Sequence, residues 1–199
     1  QFKGSQHSSS TIYFQQDLPI SKLDKLFSYL RNELKIELNW VASINQADLA
    51  IIDRELSRKR FSEYPLFSEG FQVIAPNDHV LASKPVIDIE SIDNLSFIER
   101  PYCSQRKQFQ ELLKQNKVDI QISAQAENDL QAMELVKLGF GIMACPRFRF
   151  ESTLDGLTSI PVSLPYEREI ILAVRSSRKD LIKKSQNINW QWMRSKIQP

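Results

Sequence analysis

The stretch that decides the fold is VKLGFGIMACP, which occupies residues 136–146. From residue 130 to residue 138, apolar side chains recur at the spacing that predicts a helix. The side chains expected to face inward are Leu130, Met133, Leu135, Val136 and Leu138. Gly139 ends this helix, since glycine readily takes the left-handed conformation found after helix C-termini. Phe140 to Cys145 then predicts a buried strand, which Pro146 stops. A helix that leads directly into a buried strand is typical of an α/β protein.

The same stretch excludes a nucleotide-binding glycine loop. A phosphate loop places its glycines before a helix, whereas Gly139 and Gly141 follow one.

The chain has only two histidines, His7 and His79, and its two cysteines lack the close spacing of a zinc site. We therefore expect no metal, no cofactor and no enzymatic activity.

Strands and helices alternate on both sides of this stretch. We expect a capping box at Ser21 and Asp24 for the first helix. Only residues 42–47 separate the second strand from the third, which is too short for a crossover helix. The alternation predicts an α/β fold with mostly parallel sheets. The predicted strands are 11–14, 36–41, 48–52, 71–75, 96–99, 119–124, 140–145, 157–162 and 169–174, and the helices are about 23–34, 104–116, 128–138 and 179–196, with one helical turn at 89–92.

Length and charge limit the possible functions. The 199 residues correspond to one large domain or two small lobes. Lys and Arg number 26 against 24 Asp and Glu, a net charge of +2, which argues against direct DNA binding by this stretch. Two cysteines fit a reducing compartment. Residues 1–10 predict a polar linker without the apolar core of a secretory signal, and no run of about 18 apolar residues predicts a membrane span. We therefore expect a cytoplasmic protein.

Several segments, in this order, are similar to one family. DLAII at 48–52, PLF at 65–67, VIAPNDHVLA at 73–82 and the 130–146 unit resemble the middle of a LysR-type transcriptional regulator. Residues 169–175, followed by a terminal helix, are similar to the family's closing segment. The resemblance covers roughly residues 10–195. Val80 replaces the proline that usually follows the histidine, and the helix usual between the second and third strands is missing.

This resemblance implies an effector-binding domain with a fold like that of the type 2 periplasmic binding proteins. Two Rossmann-like lobes with mixed, mostly parallel sheets would be joined by two crossover segments, with the ligand in the cleft between them. Lobe I would comprise residues 11–73 and 162–199, and lobe II residues 74–161. The DNA-binding helix-turn-helix of the family would lie outside this chain, in agreement with its nearly neutral charge.

Candidate ligand-binding residues follow from the geometry of open α/β sheets. Ligands bind at the carboxyl ends of the strands, against helix N-termini that favour anionic groups. The loops meeting this description also match those that line the family's effector cleft. They contribute Gln15, Gln16, Arg100, Tyr102, Ser104 and Asn128. An anionic effector is one reading, although Asp17 would repel it. Alternatively, Asn128 and Ser104 only cap helices, the glutamines are solvated, and Arg100 pairs with Glu99 or Asp129 on the surface.

A redox function is a separate hypothesis for Cys103. Its position resembles that of the reactive cysteine in peroxide-sensing members of the family, and a helix N-terminus beside Arg100 and Arg106 would lower a thiol pKa. Those sensors need a second cysteine a turn or two later, where this chain has Leu112 and Leu113. Cys145 lies on a predicted buried strand, where packing is the expected role.

The resemblance also implies partners. They are a small-molecule effector, a second copy of this domain in a homodimer, a tetramer in the full-length protein, and DNA only through the domain outside this chain. Trp190 and Trp192 are two positions apart on the last predicted helix, so one is expected to be exposed. The alternative to a regulator's effector-binding domain is a stand-alone solute-binding protein of a transporter. An enzyme on the same scaffold would need an acid–base pair, and the sequence offers none.

Overall fold

The computed structural model describes residues 8–18, 20–147 and 155–197. The chain forms two compact units. Lobe I contains the residues up to Ser68 and from Glu169 onward, and lobe II contains Glu69 to Arg168. The chain thus passes between lobes a few residues away from the predicted boundaries. The expected fold class is confirmed, because both lobes combine helices with mixed sheets.

Lobe I contains a five-stranded sheet in the order β2-β1-β3-β11-β4. Its strands are β1 Ser8–Phe14, β2 Ile36–Trp40, β3 Leu49–Asp53, β4 Phe61–Glu69 and β11 Arg168–Arg175. Its helices are α1 Asp24–Asn32, α4 Lys179–Gln186 and α5 Trp190–Ile197. Strand β1 runs parallel to both β2 and β3, whereas β11 is antiparallel to β3. Every residue of β3 is buried, as expected for a central strand that is covered on both faces.

Lobe II contains a four-stranded and a two-stranded sheet. The larger sheet has the order β6-β10-β5-β9, formed by β5 Phe71–Pro76, β6 Ile87–Asp88, β9 Met143–Pro146 and β10 Leu157–Ser163. The smaller sheet pairs β7 Ser96–Glu99 in parallel with β8 Gln121–Gln125. Helix α2 Arg106–Gln115 follows β7, and α3 Asp129–Lys137 follows β8. Adjacent β7 residues face opposite ways, so Phe97 joins a core cluster with Leu113 while Ile98 joins one with Met133.

Three expectations about the first and last elements are wrong. Residues 8–10 belong to β1, because they pair in register with β2, and so are not linker. The capping box at Ser21 and Asp24 does not form, because a 3-10 turn over Ile20–Leu23 comes first and α1 starts without a side-chain cap. The single terminal helix is two helices, because the Asn189 side chain accepts a hydrogen bond from Trp192 N and so begins a new one.

The sequence pattern is also wrong about the burial of two leucines and about one strand. Leu130 and Leu138 are 70% and 71% exposed, because the buried face of α3 consists of Ala132, Met133 and Val136 instead. Strand β4 is absent from the predicted elements, since Pro65 interrupts its run. Proline is tolerated there because β4 lies at the edge of its sheet. The expectation for the tryptophans is confirmed, since Trp192 is 45% exposed.

Gly141 holds two backbone segments close together. Its φ is +147°, and a Cβ atom there would overlap the carbonyl group of Ser96, whose oxygen accepts a hydrogen bond from Ile142 N. Gly139, at the end of α3, has a φ of +79° but open space around its Cα. Comparing an alanine substitution at Gly141 with one at Gly139 therefore distinguishes the cost of steric overlap from the cost of backbone strain.

We expect Gly141→Ala to lower the free energy of unfolding by about 2–3 kcal/mol, because it adds a clash to the strained φ. Gly139→Ala is the matched control and should cost about 1 kcal/mol from backbone conformation alone. Urea unfolding of the two variants and the parent measures both values. Equal losses would contradict the role given to the close approach at Ser96.

Candidate functional site

The candidate site lies at the edge of lobe II where β7 and β8 end. Because the two strands are parallel neighbours, their carboxyl ends meet at the same edge. The chain continues through residues 100–105 into α2 and through residues 126–128 into α3. We call residues 100–105 and 126–129 the edge site. It brings together four of the predicted ligand residues, which are Arg100, Tyr102, Ser104 and Asn128.

A buried ion pair forms the centre of the edge site. Arg100 Nη2 lies 2.5 Å from Asp129 Oδ1, and the two side chains are only 3% and 4% exposed. Arg100 Nε donates a second hydrogen bond to the same oxygen at 2.8 Å, and Nη1 donates to the Ala144 carbonyl at 3.2 Å. The expected surface pairing of Arg100 with Glu99 or Asp129 is therefore wrong in one respect, since the pair with Asp129 is buried.

Tyr102 completes this cluster. Its hydroxyl donates to Asp129 Oδ1 at 2.6 Å and accepts from Arg100 Nε at 3.1 Å. Its ring lies 5.0 Å from the Arg100 guanidinium carbon. Two hydrogen bonds and a ring contact therefore orient the Tyr102 side chain at the edge of the lobe.

Burial and charge set the ionisation of the cluster. Burial by itself lowers the pKa of Arg100, but the Asp129 carboxylate together with Cys103, Cys145 and Tyr102 outweighs this effect and raises the pKa well above its usual value. Burial also raises the pKa of Tyr102, and its hydrogen bond to Asp129 acts in the same direction, although Arg100 opposes both. Arg100 is therefore cationic and Tyr102 a neutral phenol near neutral pH. Because Asp129 neutralises Arg100, the cluster offers a ligand no unbalanced positive charge.

The flanking residues have different roles. Asn128 is exposed and caps α3, since its Oδ1 accepts from Gln131 N at 3.0 Å. Ser104 is half-buried in the turn that precedes α2. Glu99 pairs with Arg106 rather than with Arg100, at 2.7 Å, and also accepts from Gln110 and Gln125. The capping reading of Asn128 is thus confirmed, and its exposure leaves it accessible at the edge site.

The two cysteines have distinct environments. Cys103 is a half-buried thiol whose backbone N–H donates to Arg100 O at 3.0 Å. Cys145 is fully buried on β9, and burial raises the pKa of its thiol to about 12. Leu112 and Leu113, where a peroxide sensor would have its second cysteine, are buried core residues of α2.

The two predicted ligand residues of lobe I lie at the end of β1. Gln15 is buried, and its amide donates to Asp17 Oδ1 at 2.6 Å while its Oε1 accepts from Asp53 N at 2.7 Å. These bonds connect the loop after β1 to the end of β3. Gln16 is exposed, in agreement with the solvated reading for that residue. Gln15, in contrast, is not solvated.

Sequence reasoning misses the part that Asp129 plays. The sequence suggests only a helix cap or a surface partner for it, whereas it is the counter-ion of a buried arginine. The signal that could have found it is an arginine directly after a buried strand, because a buried guanidinium needs an acidic partner. No group of three metal-ligating side chains occurs among the residues that the structure describes. Over the same residues, no helix combines the length and apolar character needed to cross a membrane.

Several solved structures have a fold similar to that of this chain. The regulatory domain of CcmR from Synechocystis PCC6803, in complex with 2-PG, has a TM-score of 0.77 at 17% identity, covering 96% of this chain and 98% of that one. The effector-binding domain of QuiR in complex with shikimate has a TM-score of 0.70 at 19% identity, with coverages of 86% and 89%. The oxidised form of OxyR has a TM-score of 0.75 at 18% identity, with 96% coverage of both chains.

Sequence comparison gives the family. A search of curated proteins gave no match. The sequence model of the LysR substrate binding domain matches residues 39–183, which is well over half of the chain. This range includes the whole edge site and the 136–146 stretch. The chain therefore belongs to the LysR substrate-binding domain family.

Proposed function

We propose that this domain senses a small-molecule effector for a LysR-type transcriptional regulator and that the edge site takes part in binding it. The observation that carries the proposal is the edge site itself, within the segment that the family model matches. Parallel strands end there against two helix N-termini, the arrangement in which open α/β sheets bind ligands. The family assignment favours this reading over a transporter's solute-binding protein.

Effector recognition in this proposal relies on neutral groups. Asp129 already balances the charge of Arg100, so we assign Arg100 the positioning of Tyr102 rather than a direct ionic contact. Ser104, Asn128 and the adjacent backbone N–H groups would then supply the hydrogen bonds. Such donors suit hydroxyl, carbonyl or carboxylate oxygens, so an anionic effector remains within the proposal. Gln15 acts in it by shaping the β1 loop, and Gln16 as a peripheral contact.

Two exposed apolar surfaces support a homodimer. On lobe I, Ile20 and Trp40 are 50% and 55% exposed and border a groove between α1 and β2. On lobe II, Leu130, Leu138 and Phe140 lie exposed on and after α3. Exposed apolar patches are characteristic of protein interfaces. We propose that the domain dimerises through these surfaces, that the full-length protein forms tetramers, and that DNA is contacted in the cytoplasm by a separate domain.

A ligand screen tests the sensing function. Small carboxylates, amino acids, hydroxylated rings and sugar phosphates are added to the chain, and the melting temperature is followed. A true effector at 100 times its Kd adds about 2.7 kcal/mol to the free energy of unfolding, which raises the melting temperature by several degrees. If no compound in these classes changes the melting temperature, the proposal loses its support.

A matched pair of serine variants tests the edge site with whichever compound binds. We expect Ser104→Ala to weaken binding about fivefold or more, because it removes one hydrogen bond to the ligand. Ser83→Ala is the control, since Ser83 is exposed and lies outside the edge site. Isothermal titration calorimetry measures both affinities. Equal affinities for Ser104→Ala and the parent would remove Ser104 from the site.

A further inference from the structure

A separate recess lies within lobe II, under one face of α2. Its volume is about 290 Å³. The helix contributes side chains at positions i, i+3, i+4, i+7 and i+8, which form a single stripe. They are Arg106, Phe109, Gln110, Leu113 and Lys114. The facing wall comes from β7, β8 and the segment that connects α2 to β8, so the whole recess belongs to one lobe.

The side chains that line the recess differ in how deeply they are buried. Leu112 and Leu113, in the second half of α2, are buried, but Phe109, in the first half, is only partly so. On β8, Ile122 is 47% exposed although it lines the recess. The recess is therefore open to solvent beside Phe109 and Ile122.

The lining is mainly aromatic and aliphatic. Phe97 and Phe109 stack with ring centroids 5.9 Å apart, and Phe71 also lines the space. Ile98, Val118 and Ile120 supply aliphatic surface around them. Pockets with apolar walls and a few polar groups are the usual sites for small organic molecules. Flat rings gain most from such walls, because they stack on or meet the edges of the phenylalanines.

The charged groups of the lining largely cancel. The Glu99 carboxylate already accepts hydrogen bonds from Arg106, Gln110 and Gln125. Arg100 is neutralised by Asp129. Lys114 and Asp119 carry opposite charges at the rim. The recess thus selects for neither anions nor cations, and a neutral ligand suits it best.

We infer that lobe II binds a small, neutral, flat aromatic molecule in this recess. The volume is about twice the roughly 150 Å³ of an engineered apolar cavity that accepts benzene, which leaves room for a bicyclic ring system. Tyr102, Ser104 and Asn128 do not line the recess, so it is distinct from the hydrogen-bonding face of the edge site. Arg100, Cys103 and Gln105 of the edge site also line the recess, so the two sites share a wall.

Titration with indole tests this inference on the complete chain. We expect saturable binding of one indole per chain by isothermal titration calorimetry. Val118→Phe fills the recess with a ring of its own and should weaken indole binding about tenfold or more. Val80→Phe is the matched control, because Val80 is 72% exposed and outside the recess, and it should leave the affinity unchanged.

A second variant keeps the test informative if Val118→Phe does not fold. Ile122→Trp places a large side chain at a lining position that is already 47% exposed, and should also reduce indole affinity. Loss of binding in folded Val118→Phe or Ile122→Trp, with binding retained in Val80→Phe, supports the site. Absence of saturable indole binding by the parent, or unchanged affinity in the folded recess variants, overturns it.

Discussion

Arg168→Met is expected to lower the free energy of unfolding by about 3–5 kcal/mol, which corresponds to roughly 10 °C in melting temperature for a chain of this size. Arg168 Nη2 lies 2.6 Å from Glu69 Oε1, and the side chains are 0% and 3% exposed. A second bond, from Nε to the same oxygen, measures 2.8 Å. Removing the arginine leaves a carboxylate buried without its counter-ion, and this desolvation is the source of the loss.

The position of this pair makes the result informative. Glu69 is the last residue of β4 and Arg168 the first of β11, so the pair joins the two strands through which the chain enters and leaves lobe II. Thermal and urea unfolding of Arg168→Met measure the loss. Arg54→Met is the control, because Arg54 pairs with Glu63 and Glu169 while being 42% exposed, and such pairs contribute about 0–1 kcal/mol. Similar losses in both variants would show that burial does not set the size of the effect.

Arg100→Met is expected to lower the free energy of unfolding by about 3 kcal/mol or more, the second large effect. The substitution leaves the buried carboxylate of Asp129 without its counter-ion. Tyr102 still donates to that oxygen in the variant, which keeps the loss near the lower end of the range for broken buried pairs. The expected value is measured by urea unfolding of the single variant against the parent.

A double-mutant cycle distinguishes loss of an ion pair from loss of packing. We expect Arg100→Met combined with Asp129→Leu to be more stable than Arg100→Met alone, since an apolar pair of similar size replaces the charges. If the two substitutions add without coupling, the cluster is not held together electrostatically. Arg100 variants are therefore unsuitable for locating the effector, because reduced binding in them would reflect a disturbed loop at residues 100–105.

The sequence predicts most of the elements in lobe II because its local signals agree. The helix ending at Gly139, the buried strand after it and the cap at Asn128 each depend on neighbouring residues, and all three are present. Strand β4 escapes prediction because its partner β11 lies about a hundred positions away, and Pro65 conceals the pattern. Pairing across such a distance leaves no local trace.

The candidate site is predicted by location better than by role. The rule for strand ends brings Arg100, Tyr102, Ser104 and Asn128 to the same edge of one sheet, where the structure also has them. Their partners could not be read in the same way. Two of these contacts depend on side-chain directions that only tertiary packing fixes. They are the ion pair of Asp129 with Arg100 and the hydrogen bond by which Gln15 joins β1 to β3. Exposure of Leu130 and Leu138 has the same origin, since their type alone favours burial.

The small β7–β8 sheet has a consequence for how effector binding can be observed. Strand β8 has β7 as its only neighbour in the sheet, and beyond β7 the described chain adds a single bridge from Phe97 to Ile142. Its amide protons are therefore expected to exchange with solvent deuterium faster than those of β3, which lies between two strands. A ligand held where β7 and β8 end would slow that exchange first in residues 121–125. Deuterium uptake by this one peptide would thus report occupancy even for a compound whose effect on the melting temperature is small.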